Sequence, residues 1–391
     1  MSDTNFYPLA ANGADYPRPA VSLLPQPSLR AWLDRSGAPE RSAFLTGGES
    51  FTHSRYALAE TLRRAGVVPG RTVLLPSFHC RAMVEPVLYL GAKPLFYPLM
   101  PDLSPDFTVL PALLDTRVAA MLVTHFFGFP SAIEASERLC AAHGIHLIED
   151  CAHALYGQAG DRDLGTIGSY AVASLWKFLP IRDGSVLRDN TQQPSERQRQ
   201  TRPMMAELKA CAGLVETGIR SKRERLLSPS AAKLAAAAQR IAVRGSTASA
   251  EPGLKEFSPA AAAWPAFASS RYLGTAVAHG RVAQKRREHY QRWLHGMRGV
   301  PGVRPLNPEL PEHVVPYAFP LLIDPEGLLF HYLKLAGIPI WRWEDMALTA
   351  CPVARDYRLR LLQLPCHQEL SEQELAWMIQ TVQTLAREVF A

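Results

Sequence analysis

The chain of 391 residues contains no apolar run approaching the roughly 18 residues that a membrane-spanning helix requires, which excludes a transmembrane reading. Its amino-terminal stretch, MSDTNFYPLAANGADYPRP, lacks the basic-then-apolar order of a secretory signal, so a cytoplasmic protein is expected. Cysteine is sparse. Cys80, Cys140, Cys151, Cys211, Cys351 and Cys366 include no C-x-x-C pair, which argues against a disulfide framework and for free thiols in a reducing compartment. Lysine is rarer than arginine: 8 lysines among 42 basic residues leave 34 arginines. The formal charge of +6 invites a nucleic-acid reading, yet the basic runs SERQRQTRP and RSKRERLL have no interleaved aromatics and no recognition motif beside them. They read as solvated surface, and neither a nucleic-acid nor a membrane partner is expected. There is no internal repeat.

At 47% hydrophobic residues the chain can bury a sizeable core. Between Ser54 and Arg188, short apolar runs alternate with amphipathic segments: residues 71–78, 93–99, 119–127, 145–151, 169–176 and 184–189 have strand length, and SRYALAETLRRAG and SAIEASERLCAAHG have helical spacing. Strands that are apolar on both faces and separated by helices predict an α/β fold with a mainly parallel sheet. In such sheets ligands bind beyond the carboxyl ends of the strands. Residues 189–262 are richer in Gln, Arg, Ser and Ala, with a helix in SAAKLAAAAQRIAVRG and a loop at STASAEPG. A single long helix is expected in SSRYLGTAVAHGRVAQKRREHYQRWLHGM, joining a smaller α+β unit whose last helix starts at a Ser371–Glu374 capping box. The expected organisation is an arm over 1–50, a large α/β domain over 51–262 with an Ala/Arg-rich insertion at 189–262, and a connecting helix with a small domain over 263–391.

The chemistry centres on SYAVASLWKFLPIRDGSVL, residues 169–187, where one of the rare lysines, Lys177, follows a strand end. Burial lowers a lysine's pKa and frees the amine as a nucleophile, the condition for Schiff-base chemistry. A pyridoxal phosphate (PLP) enzyme needs such a lysine, a carboxylate for the pyridine nitrogen, phosphate donors and a group on the ring face. Asp150 closes the preceding strand, and Ser54 and Arg55 open the first helix, where free N–H groups favour a phosphate. Each residue has a plainer reading. Lys177 could snorkel to solvent, Asp150 could cap a helix, and His153 could be a core histidine. His143, His146, Asp150 and His153 have metal-ligand chemistry, but alternation along IHLIED sends neighbours to opposite faces, so no metal site is expected.

These segments resemble the DegT/DnrJ/StrS-type PLP-dependent aminotransferases, with the likeness running from about Thr52 to Leu385. HGIHLIEDCAHALYG is similar to the family's HGLxVIEDAAQAxG, VTHFFGFP to its VHLYGxP, and LGTIGSYAVASLWKFLPIRDGSVL to its lysine segment. The resemblance implies fold type I, with a mainly parallel sheet of the seven-stranded type, PLP as cofactor and Lys177 as the Schiff-base lysine. It implies cofactor contacts from Asp150, His153 and Ser174 beside Ser54 and Arg55. The family's ring-stacking aromatic aligns near Cys80, which leaves Phe78 and His79 as candidates. A homodimer is implied, with Arg271 a candidate for contact across it. The implied reaction is ping-pong transamination from an amino acid, glutamate or glutamine, to a keto or aldehyde acceptor such as a nucleotide-linked keto sugar or a natural-product intermediate. Departures from the pattern keep two alternatives open: a PLP enzyme of another reaction type, or a binding or regulatory protein on the same scaffold. HSR stands where the family has SGT, Gly184-Ser185 where it has Gly-Gly, and SPAAAAWPAFASSRYLG where it has YRMSDIQAALG.

Overall fold

A computed structural model describes residues 4–10, 13–34, 36–37, 39–191, 200–219, 226, 228–244, 253–325 and 328–390. The basic run at 220–227 and the expected loop at 246–253 fall almost wholly outside these residues, as does most of the run at 195–203.

Seven strands form the main sheet: β1 (Glu49–Phe51), β2 (Thr72–Pro76), β3 (Lys93–Tyr97), β4 (Val118–Thr124), β5 (His146–Cys151), β8 (Tyr170–Ser174) and β9 (Ser185–Asp189). A hairpin of β6 (Gln158–Ala159) and β7 (Arg162–Asp163) stands apart. The order is β1-β9-β8-β5-β4-β2-β3. β8, β5, β4, β2 and β3 run parallel, whereas β9 is antiparallel to both β8 and β1. All of β2, β4 and β8 is buried, because α2 (Ser54–Arg64), α3 (Arg81–Tyr89) and α4 (Ile133–His143) occupy the crossovers and cover the sheet. That explains why these strands read as continuous apolar runs without alternation.

A second core surrounds the antiparallel sheet of β10 (Val303–Pro305), β11 (Ala318–Ile323) and β12 (Leu361–Pro365), ordered β10-β11-β12. α10 (Leu329–Leu335), α11 (Pro352–Arg360) and α12 (Glu372–Phe390) accompany it. At the start of α12, Glu374 accepts both N–H and O–H of Ser371 and returns its own N–H to the Ser371 hydroxyl (2.7, 2.8 and 3.2 Å), the expected box. Of the intervening helices, α5 (Met204–Ile219) meets α8 (Ala268–Ala276) and α7 (Pro259–Ala262) lies on α2, while α6 (Ala231–Arg244) packs on α10 and α12 of the second core. The amino-terminal segment lies back on the chain: Phe6 bridges to Ala347, and α1 (Leu29–Leu33) follows.

The expected long helix is instead two, α8 and α9 (His279–Gly296), because Val277 adopts an extended conformation with ψ 146°. A methyl group at Gly274 of α8 would meet the side chains of Leu175, Leu179 and Ile181 at 3.8 Å, so α8 is seated on the lysine loop, and α9 departs toward the second core. Apolar spacing alone runs through such a break unmarked.

Candidate active site

β5 and β8 are neighbours in register, Asp150 opposite Val172, so the segment carrying Lys177 leaves the sheet beside Asp150. Lys177 closes a 3₁₀ turn, Leu175–Lys177, whose first N–H is donated to the Gly184 carbonyl at 2.9 Å. Gly184 has φ +140°, a conformation rare for side-chain-bearing residues, and its N–H is donated to the Thr52 carbonyl at 2.9 Å. The Asp-Gly-Ser closure of the lysine run is therefore the hinge that folds Lys177 back toward the start of α2. There the Ser54 and Ser185 hydroxyls lie 3.2 Å apart, and Ser185 donates to the Ala173 carbonyl at 2.6 Å.

One cavity of about 710 Å³ takes in Asp150, His153, Ser174, Lys177, Ser54 and Arg55. Burial pushes the Lys177 amine below the ordinary lysine range, opposed by Cys80 and Asp150. Burial pushes Asp150 up, opposed by the Ala152 N–H at 3.0 Å and the positive charge of Lys177. Thr124 donates to the other Asp150 oxygen at 3.4 Å. His153 stacks on Tyr317 with ring centroids 4.2 Å apart and planes 14° from parallel, and its Nδ1 is buried without a hydrogen-bond partner. Burial and then Lys177 push it well below the usual imidazole range, so it stands neutral. Arg55 is held by Glu256, at 2.8 Å to the carboxylate and 2.6 Å to the backbone carbonyl.

Two expected cofactor contacts lie elsewhere. Phe78 is fully buried behind the cavity wall, 4.9 Å from the Trp343 ring. His79 donates Nδ1–H to the carbonyls of Pro76 and Ser77, accepts the Ala347 N–H at 2.9 Å on Nε2, and stacks on Phe96 at 4.5 Å. With both nitrogens committed and its pKa pushed down to about 4 by burial, His79 is a structural residue. It is Cys80, next in the chain, that borders the cavity. Trp341 and Trp343 also line it, as does Tyr317, whose place just before the second sheet gives no signal near the lysine segment. Behind them Arg286 of α9 is wholly buried and donates to four backbone carbonyls, those of Lys177, Phe178, Pro316 and Tyr317, at 2.9 to 3.3 Å.

The metal-like cluster among the described residues is His125, Glu149 and Cys151 rather than the histidines near Asp150. His125 Nδ1 accepts the Ser131 N–H, so Nε2 carries the proton and donates it to Glu149 at 3.3 Å. Glu149 accepts three more bonds from the N–H groups of Gly165, Ile167 and Gly168 at 2.7 to 2.9 Å. The donors that a metal would need to displace are already in place, and the cluster is a hydrogen-bonded clamp on the loop before β8.

Residues 50–184 match the profile of the DegT/DnrJ/EryC1/StrS aminotransferase family. The chain is 32% identical over 132 residues to a UDP-N-acetyl-3-dehydro-alpha-D-glucosamine 3-aminotransferase of Acidithiobacillus ferrooxidans, covering 32% of this chain and 34% of that protein. It is 30% identical over 151 residues to a dTDP-4-dehydro-2,3,6-trideoxy-D-glucose 4-aminotransferase of Saccharopolyspora spinosa, 38% of each. The alignments thus span little more than a third of these curated relatives. Among solved structures, PseC of Helicobacter pylori, an aminotransferase involved in the biosynthesis of pseudoaminic acid, superposes with a TM-score of 0.63 at 17% identity over 95% of this chain and 98% of that one. The S. venezuelae DesV structure, a complex with a ketimine intermediate, gives 0.60 at 21% identity over 87% and 84%.

Proposed function

We propose that this protein, which belongs over residues 50–184 to the DegT/DnrJ/EryC1/StrS aminotransferase family and has fold type I, is a PLP-dependent aminotransferase acting on a keto or aldehyde acceptor. The observation that carries the reading is the shared buried end of one cavity, where a lysine amine and a carboxylate project from adjacent strand ends.

The residues there fit the cofactor. Asp150 keeps acceptor capacity beyond the Ala152 and Thr124 bonds, and a protonated ring nitrogen would offset the cost of its burial. His153 offers a neutral ring face and an unpartnered Nδ1. Ser54, Ser174 and Arg55 would hold the phosphate at the start of α2. Arg55 is paired with the Glu256 carboxylate, with which the phosphate would compete. When bound, PLP supplies an electron sink for the charge that develops at the substrate carbon. Lys177 Nζ, its pKa lowered by burial, would take the proton from that carbon and return it. Tyr317 and Trp343 wall the reacting end against water.

The donor is an amino acid, glutamate or glutamine, and the relatives' names favour a nucleotide-linked keto sugar as acceptor. A homodimer is supported by exposed apolar side chains on α5 and α8, Met204 and Tyr272, beside Arg271. Among the described residues no helix is long and apolar enough to cross a membrane, which accords with a cytoplasmic enzyme.

The test is the absorption spectrum of the purified protein before and after L-glutamate, beside Lys177→Ala. The expected outcome is a cofactor band that glutamate bleaches in the parent and leaves unchanged in the variant. A band unmoved by glutamate or glutamine would reject transamination from these donors, and failure to take up added PLP would reject the cofactor.

A further inference from the structure

Lys255 and Glu256 border the cavity, although they belong to the Ala/Arg-rich insertion and not to the sheet that builds the site. Their backbone is pinned. Glu85 of α3, wholly buried, accepts the Lys255 N–H at 2.9 Å on one carboxylate oxygen and the Glu256 N–H at 3.0 Å on the other. Arg81, at the start of the same helix, donates to the Gly253 carbonyl at 3.1 Å. Phe257 is buried and packs against the rings of Tyr56 in α2 and Tyr89 in α3, at 5.1 and 4.6 Å. A buried carboxylate engaged by N–H groups on both oxygens makes a rigid mount.

From that mount Glu256 makes two different contacts with Arg55. Its backbone carbonyl accepts from Nη1 at 2.6 Å, and its carboxylate meets Nη2 at 2.8 Å. The first contact belongs to the pinned backbone. The second belongs to a side chain that is 43% exposed and has solvent to turn into. Among the described residues Arg55 has no other acidic partner. The guanidinium is thus aimed by one bond and neutralised by another, and only the neutralising bond can be exchanged for an external anion without disturbing the aim.

We infer that Glu256 is an intramolecular stopper on the cofactor's phosphate seat: its carboxylate occupies Arg55 until a phosphate displaces it, and so sets how tightly the cofactor is held. The inference rests on the proposed function for one point, that Arg55 meets the cofactor phosphate. A tethered carboxylate is present at a high local concentration, so each incoming phosphate must displace it. The apparent affinity then falls by the fraction of time for which Arg55 is free. For a partly exposed ion pair this corresponds to a factor of about five.

The experiment measures Kd for PLP, pyridoxal and inorganic phosphate, by absorbance and calorimetry, on the full chain stripped of cofactor and on Glu256→Gln, Arg55→Gln and the double variant. Glu256→Gln should bind PLP about fivefold tighter than the parent, with inorganic phosphate also tighter and pyridoxal, which lacks the phosphate, unchanged. In the Arg55→Gln background the same change should have no effect, because no seat is left to compete for. PLP affinity that is unchanged or weaker in Glu256→Gln overturns the stopper, and the weaker result would make Glu256 a support for Arg55 instead. An equal gain for pyridoxal, or a gain that survives in the Arg55→Gln background, also overturns it, since loss of a negative charge would then act through the general field and not by competition. Tighter phosphate binding in Glu256→Gln, with no uptake of PLP by either protein, rejects the cofactor and leaves the stopper standing. A parent that takes up PLP and is bleached by glutamate, with no gain in Glu256→Gln, defeats only this inference. Binding of neither PLP nor phosphate by any of the four proteins overturns both.

Discussion

Lys177 and Asp150 illustrate how a site stores unfavourable burial until a ligand arrives. No hydrogen bond joins them, and each is displaced toward its uncharged form by burial. The sign of the consequence follows from proton linkage. With its folded pKa depressed, Lys177 binds fewer protons than it does in the unfolded chain, up to the ordinary lysine value of about 10.4. Its contribution to stability therefore rises with pH through that window. Cofactor-free Lys177→Met lacks this term, so it should gain stability over the parent at pH 7, by roughly 1 kcal/mol from removing an uncompensated buried amine. The gain should shrink toward pH 10. Urea midpoints of both proteins at the two pH values check this, and an advantage that does not change with pH would show that Lys177 carries no such burden. His153 belongs to the same class of residue: a buried, unpartnered Nδ1 is retained at the site where a ligand can use it.

The elements are held by bonds that a sequence motif does not announce. Glu149 sits one residue before Asp150 with its side chain directed into the His125 and Gly165–Gly168 clamp. Burial pushes its carboxyl up, but the His125 bond and the Gly168 and Gly165 N–H groups outweigh it and leave the pKa below the usual range. A depressed carboxyl stabilises the fold above its unfolded pKa and loses that contribution as pH falls through the folded value. Glu149→Gln keeps the shape but turns an amide N–H₂ toward donors. It should cost about 2–3 kcal/mol at pH 7, with the difference from the parent narrowing at acid pH. Equal urea midpoints at pH 7 would refute the clamp. At this scale the sequence is informative: the six apolar runs between 71 and 189 all form strands, and the Ser371 box caps α12. β1, the hairpin of β6 and β7, β10 and β12 escape a reading from sequence, because strands of three residues or fewer carry no usable period and β12 is a buried run without alternation.

Across the whole molecule, the lysine loop is tied to α9 and to the segment that leads into β11. The Arg286 guanidinium gathers the Lys177 and Phe178 carbonyls from one side and those of Pro316 and Tyr317 from the other, oriented by the Gln368 side-chain oxygen at 3.1 Å. Gln368 itself donates to the Phe178 carbonyl at 2.9 Å. This makes Arg286 a positioning residue that registers Lys177 against the Tyr317 wall. Arg286→Met should slow the glutamate half-reaction by roughly 10- to 100-fold, the scale of a small misplacement of a reacting group. It should also move the pH at which the cofactor band titrates, a readout that general loosening would leave alone. Arg286→Lys, which cannot span four carbonyls, should recover only part of the rate. A variant that folds with the parent's rate and titration would show the contact to be packing only.

What the sequence determined by itself was what is local or periodic: the alternation of buried strands and helices, the lysine and aspartate at successive strand ends, and the glycine on which the lysine loop closes. Chain geometry fixes these over a few residues at a time. Only the tertiary structure decided that Cys80 rather than His79 borders the cavity, since one step along the chain reverses which side chain faces it and both of His79's nitrogens are bound elsewhere. It alone brought Tyr317, Trp343 and Gln363 to the cavity, and Arg286 to the lysine loop, from positions more than a hundred residues away. Those placements follow from long-range packing in which Tyr317 and Trp343 join the core of the main sheet, and no spacing within either stretch of sequence records it.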